Sequence, residues 1–341
     1  MPKIITVTFH CAHNYGAVLQ AFALQQYITN NFQQYETACL DYRPEYLKPK
    51  LISKNVNESI LKSLAHNLIT FKSRYLRKRS FNRFIIEYIT TIKPSDDLDR
   101  ADNIFIVGSD QVWNRDITNK QLDDVYCLRT IGKAKKASYA ASVGNKDFEA
   151  HKQLASVIKS FDKIGVREEY SKKLLEQAGV SNIHVNVDPV FLLNRQEYDK
   201  IAVKRLNGEY VLVYTLETND EVRKKIQQFK GKCKTVSIGS FRNLYGTDIH
   251  FSSISPEEYL GLIQGAKYIF TNSFHMVAFS IIFERNFEYI PLNNGRGIRI
   301  ENLLSLIEMN GYVCDASIDR KKVLEPYINS SKNWIREIIE G

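Results

Sequence analysis

Cysteine is sparse in these 341 residues: five are present, Cys11, Cys39, Cys127, Cys233 and Cys314, odd in number and without a C-x-x-C pair. That excludes the disulfide framework of a small secreted domain and points to reduced, structural thiols in a cytosolic enzyme. No run approaches the roughly 18 apolar residues that a spanning helix needs. Met1-Pro2-Lys3 leads straight into Ile4-Ile5-Thr6-Val7, with no basic leader and apolar core. These absences predict a cytoplasmic protein, for which the inner membrane face is at most a peripheral surface. Neither G-x-G-x-x-G nor a Walker A loop occurs, so dinucleotide and P-loop readings lack their fingerprints. Zinc-finger spacing, an RNP1 string and basic heptads are missing too, which leaves nucleic acid without specific support. Acidic side chains are absent from 59 to 86.

What is present is ordinary for a globular protein: 44% hydrophobic and 25% charged residues, in a chain long enough for two domains. The net charge of +9 calls for anionic company, such as phosphorylated metabolites or acidic lipid.

Strands alternate with helices in two runs. The first takes Ile4 to Phe9, Thr37 to Leu40, Ile104 to Val107, Lys136 to Val143, Ile164 to Val166 and His184 to Val187 as strands. The second takes Tyr210 to Tyr214, Thr235 to Ile238, Tyr268 to Phe270 and Phe287 to Ile290. Such alternation predicts parallel sheets covered on both faces. The expected domains are 1–195, with a basic helical insertion at about 45–95, and 196–320. A terminal helix at 321–341 is expected to pack back on the first domain. Open α/β sheets bind ligands beyond the carboxyl ends of their strands, so chemistry is sought in the strand-end loops.

Tyr268-Ile269-Phe270 leads through Thr271-Asn272-Ser273 into a helix apolar on every face, with His275 in its first turn. Asn272 or Ser273 is suited to cap that helix, whose N-terminal amides and dipole favour an anion. A histidine beside an anion is suited to general acid work; from the motif alone a core histidine satisfied by hydrogen bonds is the favoured reading. Asn14-Tyr15-Gly16 follows the first strand as a backbone cradle or a plain turn. Gly108-Ser109-Asp110-Gln111 offers three hydrogen-bonding side chains to a sugar, or a base for its hydroxyl; an Asp-capped helix start reads equally well. Arg167, followed by Glu168, suits a carboxylate or phosphate, or else a surface ion pair. Arg296 and Arg299 lie in the glycine-containing stretch after the last strong strand. His10, Cys11 and His13 lack a second cluster with ligand spacing, so no metal is expected. Asp97-Leu98-Asp99 has the D-x-D form of metal-dependent glycosyltransferases but precedes a strand. The basic stretch 59–86 reads as a solvated helical face or as one that lies on an anionic bilayer.

Six segments taken together resemble the polysaccharide pyruvyl transferase family. They are Phe9 to Gln20, Phe105 to Asn114, Lys136 to Ser142, Val166-Arg167-Glu168, Val187-Asp188-Pro189 and Thr271 to His275, in that order. The resemblance runs from about residue 4 to about 310. It implies a GT-B-like α/β fold, two Rossmann-type domains with parallel sheets facing a central cleft, and no cofactor or metal. It further implies phosphoenolpyruvate as donor, and a sugar of a surface polysaccharide or lipid-linked precursor as acceptor. The product would be a pyruvate ketal. Where the family usually reads Arg-Leu-His and a small residue, this chain has Ser273-Phe274-His275-Met276. The expected roles are His275 as acid, and Asp110 as base with Glu168 behind it. Arg167, Asn272, Ser273, Arg296 and Arg299 are expected at the donor, and Asn14, Tyr15, Gly16, Ser109 and Gln111 at the acceptor. A nucleotide-sugar glycosyltransferase and a non-catalytic polysaccharide-assembly protein are the alternatives.

Overall fold

A computed structural model of the chain describes residues 1–49, 51, 60–217, 220–239, 242–291, 297–309 and 311–341. The first run is β1 (Lys3–Val7), α1 (Tyr15–Asn31), β2 (Glu36–Leu40), α2 (Ile60–Tyr88), β3 (Thr91–Ile92), β4 (Ile104–Val107), β5 (Lys135–Ser138), α3 (Phe148–Ile158), β6 (Ile164–Val166), α4 (Glu169–Gln177), β7 (Ile183–Val185) and α5 (Arg195–Asp199). The second run is β8 (Tyr210–Tyr214), α6 (Asp220–Gln227), β9 (Lys234–Ile238), β10 (Ile249–Phe251), α7 (Pro256–Gly265), β11 (Tyr268–Thr271), α8 (Phe274–Ile282), β12 (Asn286–Tyr289), α9 (Ile298–Leu306) and β13 (Val313–Cys314). Helix α10 (Arg320–Glu340) ends the chain.

These elements form two compact units. One comprises Met1–Leu47, Ile85–Asn194 and Lys322–Gly341; the other comprises Lys48–Phe84 and Arg195–Lys321. In the first, strands run β3-β2-β1-β4-β5, all parallel, and bridges at Ala137↔Lys163 and Ala141↔Val166 join the parallel pair β6-β7 to β5. Ile4, Ile5, Thr6 and Val7 of β1 are wholly buried, as β-branched residues are in a central parallel strand covered on both faces. In the second unit the order is β10-β9-β8-β11-β12-β13, parallel except for the last pair. Each sheet reverses its strand order once, between β1 and β4 and between β8 and β11, and ligand crevices form at such switch points.

Local chemistry sets the helix starts. Asn14 caps α1, accepting from the amides of Gly16 and Ala17. Ser255 and Glu258 form the reciprocal capping box of α7, with Pro256 at its first position. Helix α8 is buried at every residue, so it runs through the second unit's core.

Some expectations are revised. The strand expected over Lys136 to Val143 ends at Ser138, because Ala140 turns the chain out with φ +47°. β10 and β13 were not expected; three and two residues are too short to show a period. Residues 48–84, which the sequence attaches to the first domain, group with the second unit. There Arg83 ion-pairs with Glu257 and the Ser73 hydroxyl donates to the Ser252 carbonyl. Helix α10 belongs to the first unit, where Ser331 accepts from the Val187 amide and Trp334 stacks on His184 at 4.8 Å.

Candidate functional site

In the first unit the loops after β1, β4, β5, β6 and β7 meet at the carboxyl edge of the sheet. After β1 the chain turns at His10, which is wholly buried. Its Nε2 lies 3.1 Å from Asp41 Oδ1 and its Nδ1 3.3 Å from the Thr8 carbonyl. Burial alone would push this imidazole down; the Cys39 side chain, the Asp41 carboxylate and the Thr8 carbonyl outweigh it and lift the pKa to about 9. Cys11 beside it is pushed up to about 11, chiefly by burial. His10 is thus taken up in a local ion-pair cluster, and among the described residues no three His, Cys, Asp or Glu side chains gather as a metal group. Asn14 is exposed and spends its oxygen on the α1 amides, while Tyr15 and Gly16 are buried within the helix start.

The loop after β4 is tightly built. Gly108 has φ +106°, and a Cβ there would stand 2.3 Å from the Tyr139 carbonyl, so this turn admits only glycine. Ser109 is fully buried; its hydroxyl oxygen accepts from Arg167 Nη2 at 3.0 Å and from the Asp110 amide at 2.5 Å. Asp110, at φ +71°, has 14% of its side chain exposed and lies 3.7 Å from Arg167 Nη2. Arg167 Nη1 reaches Asp188 at 3.2 Å, and neither of those side chains is more than 4% exposed. On sequence, Arg167 faces a donor anion; in the structure its guanidinium is set among Asp188, Asp110 and Ser109, as the desolvation cost of a buried charge requires.

Glu168 is buried as well, accepting from the hydroxyls of Ser142 at 2.8 Å and Ser171 at 3.5 Å. Gln111 Oε1 accepts from Asn114 Nδ2 at 2.5 Å and covers Gly144, where a Cβ would stand 2.3 Å from that oxygen. The D-x-D segment is structural: Asp99 accepts the amides of Gly132, Lys133 and Ala134, and these bonds, that of Ala134 first, hold its carboxyl below the usual range. Of the titratable side chains in this network, Asp110 is the one that reaches solvent.

In the second unit β11 ends in Thr271, whose hydroxyl donates to the Tyr214 carbonyl and accepts from the Ser273 amide. The sequence offers Asn272 or Ser273 as the cap of α8. The Asn272 Oδ1 instead accepts from the Leu216 amide at 2.7 Å, tying β11 to the loop after β8. Ser273 holds the N-cap position with φ −99° and ψ 126°, yet makes no side-chain cap bond. The positive end of the α8 dipole favours an anion there. His275 is 8% exposed in that turn, edge-on to the Phe274 ring at 5.2 Å. The Arg299 guanidinium stands 5.9 Å over the same ring. Arg296 lies outside the described residues. A cavity of about 470 Å³ opens at the ends of β8 and β9, lined by Thr215, Glu217, Ser237, Arg242, Tyr245 and His250.

The two groups of residues differ in character. The first unit offers one accessible carboxylate held by a buried cation. The second offers helix amides, a histidine and an arginine around one aromatic ring, a set suited to hold an anion and pass it a proton. Reading the sequence missed the part of Asp188, although its place after a strand and before Pro189 marks a strand end. Nothing in the sequence pairs Arg299 with Phe274.

A family model described as polysaccharide pyruvyl transferase matches residues 14–291. No curated protein sequence matches. Among solved structures, the chain is similar to UDP-GlcNAc 2-epimerase from Neisseria meningitidis bound to UDP-GlcNAc, with 14% identity and a TM-score of 0.53 over 99% of this chain and 100% of that one. It is also similar to UDP-N-acetylglucosamine 2-epimerase from Rickettsia bellii, with 12% identity and a TM-score of 0.52 over 100% of this chain and 96% of that one. At such identities the likeness shows the fold alone, which is GT-B-like.

Proposed function

The chain belongs to the polysaccharide pyruvyl transferase family, and from that premise we propose that it moves the enolpyruvyl group of phosphoenolpyruvate onto two hydroxyls of one sugar, releasing phosphate. The sugar is part of a surface polysaccharide or its lipid-linked precursor. The observation that carries this reading is His275 in the first turn of α8, where the Ser273 side chain makes no cap bond and Arg299 stands over the neighbouring Phe274.

Phosphoenolpyruvate brings two anionic groups and a nucleophilic methylene carbon. The α8 amides and Arg299 hold the anion, and Arg299 supplies the cation that the family usually carries at the position of Ser273. His275 delivers its proton to the methylene carbon, which becomes a methyl group while C2 becomes electrophilic. A sugar hydroxyl adds to C2 and gives up its proton. Within the first unit taken by itself, Asp110 is the carboxylate of its network that meets solvent, which suits it to a base's part. Phosphate then leaves C2 with the C–O bond electrons, and the second hydroxyl closes the ketal as it loses its proton. The chemistry calls on no cofactor. Arg167, Ser109 and Glu168 are assigned to the frame that holds Asp110, and Asn14 and Gln111 to the acceptor side.

Phosphate release from phosphoenolpyruvate, with candidate sugar acceptors, tests the reading. His275→Ala is expected to lower turnover by 10²-fold or more while sparing the donor's dissociation constant, and Arg299→Ala to raise that constant at least tenfold. Wild-type turnover in His275→Ala removes the acid assignment. Tighter calorimetric binding of uridine diphosphate than of phosphoenolpyruvate replaces the donor with a nucleotide sugar.

A further inference from the structure

Helix α2 carries two apolar stripes on opposite sides. Thr70, Phe81, Phe84 and Ile85 are buried. About half a helical turn away, Leu68, Phe71 and Tyr75 face outward, with Ile69 and Leu76 on the flank. Leu68 is 74% exposed and Phe71 47%, and the rings of Phe71 and Tyr75 stack at 6.4 Å. A soluble helix ordinarily turns polar side chains to solvent, so an outward row of this kind marks an interaction surface.

The charges say what the surface meets. Lys72 and Arg79 sit on the exposed face, spaced to fall in line with Leu68 and Tyr75, and Lys78 lies at its edge. Among the described residues none of these three has a hydrogen-bond or ion-pair partner, whereas Arg83 further along is bound to Glu257. No Asp or Glu occurs between 59 and 86 to neutralise them. A second copy docking by the same face would bring like charges together. A nucleic acid would answer the cations but leave Leu68 and Ile69 without a partner. Apolar and aromatic side chains interleaved with unpaired cations match one surface on both counts, the headgroup boundary of an anionic bilayer.

We propose that the outward face of α2 from Leu68 to Arg79 docks on an anionic lipid surface. Leu68, Phe71 and Tyr75 enter the headgroup boundary, and Lys72, Lys78 and Arg79 meet lipid phosphates. This docking stands apart from the transferase reading, and its failure would leave that reading intact.

Flotation of the full chain with vesicles of phosphatidylcholine alone, or mixed with phosphatidylglycerol, tests it. The protein is expected to float with the mixed vesicles only, and added salt to release it. Each cation near the surface contributes about fivefold to partitioning, so Lys72→Gln, Lys78→Gln and Arg79→Gln together should lower it on the order of 100-fold. Phe71→Ser with Tyr75→Ser should lower it as well, with the thermal melt unchanged. Equal flotation on neutral vesicles, no flotation, or wild-type partitioning of the charge-neutralised variant overturns the proposal. So does a concentration-dependent dimer that Phe71→Ser abolishes, which would give the face to a second copy. Should the variants fail to fold, the salt dependence of the native chain decides alone.

Discussion

Arg167 spends its charge inside the protein. With its side chain 4% exposed, it faces a fully buried Asp188 at 3.2 Å and Asp110 at 3.7 Å. Breaking a buried pair from one side leaves carboxylates uncompensated, at a cost of about 3–5 kcal/mol. Arg167→Ala is therefore expected to lose about that much unfolding free energy in urea titrations, and Asp188→Asn to recover part of it when combined with Arg167→Ala. Additive losses would show that the two side chains do not act as a pair. The residue types at this site were legible in the sequence, since Ser109, Asp110, Arg167 and Asp188 each follow a strand. Which of them is accessible was not. Exposure depends on neighbours brought from four different loops, and a buried brace is written with the same letters as a ligand clamp.

Helices and strands show how local chemistry and packing share the work. Helix α7 is announced by Ser255, Pro256 and Glu258, and its reciprocal cap is present. Ser255→Ala is expected to cost about 1 kcal/mol, read as a lower urea midpoint with an unchanged slope; an unshifted midpoint would mean that tertiary contacts alone hold this start. Helix α8 is equally plain from its apolar run, and Ser273 holds the N-cap position, yet neither Ser273 nor Asn272 makes the expected side-chain cap bond. Asn272 is drawn off by the Leu216 amide, 56 positions away, a partner that exists only once β8 lies beside β11. The same reasoning covers β10 and β13, whose two or three residues become strands by pairing with β9 and β12. A local signal predicts an element well when its partners are within a few residues, and poorly when they come from another strand.

For the whole molecule, chain order and spatial order part company. The first unit is assembled from 1–47, 85–194 and 322–341. Helix α10 supplies Leu324, Ile328, Trp334, Ile335, Ile338 and Ile339 as buried side chains, and its Glu337 pairs with Lys163 at 3.0 Å. A fragment of 1–194 is therefore expected to show no cooperative urea transition by circular dichroism, because it lacks this apolar face; a sharp transition would show α10 to be dispensable. No helix of the described residues is long and apolar enough to cross a membrane. The sequence by itself determined the α/β alternation, the helix start at Ser255, and the ordered strand-end motifs that mark the family. Those follow from periodicity, capping and order along the chain. Only the tertiary structure decided that Ser109 and Arg167, 58 positions apart, share a hydrogen bond, that Arg299 comes to Phe274, and that 48–84 leaves the unit around it. Such pairings arise from strand order and burial, and desolvation then selects which charges are matched and which face solvent.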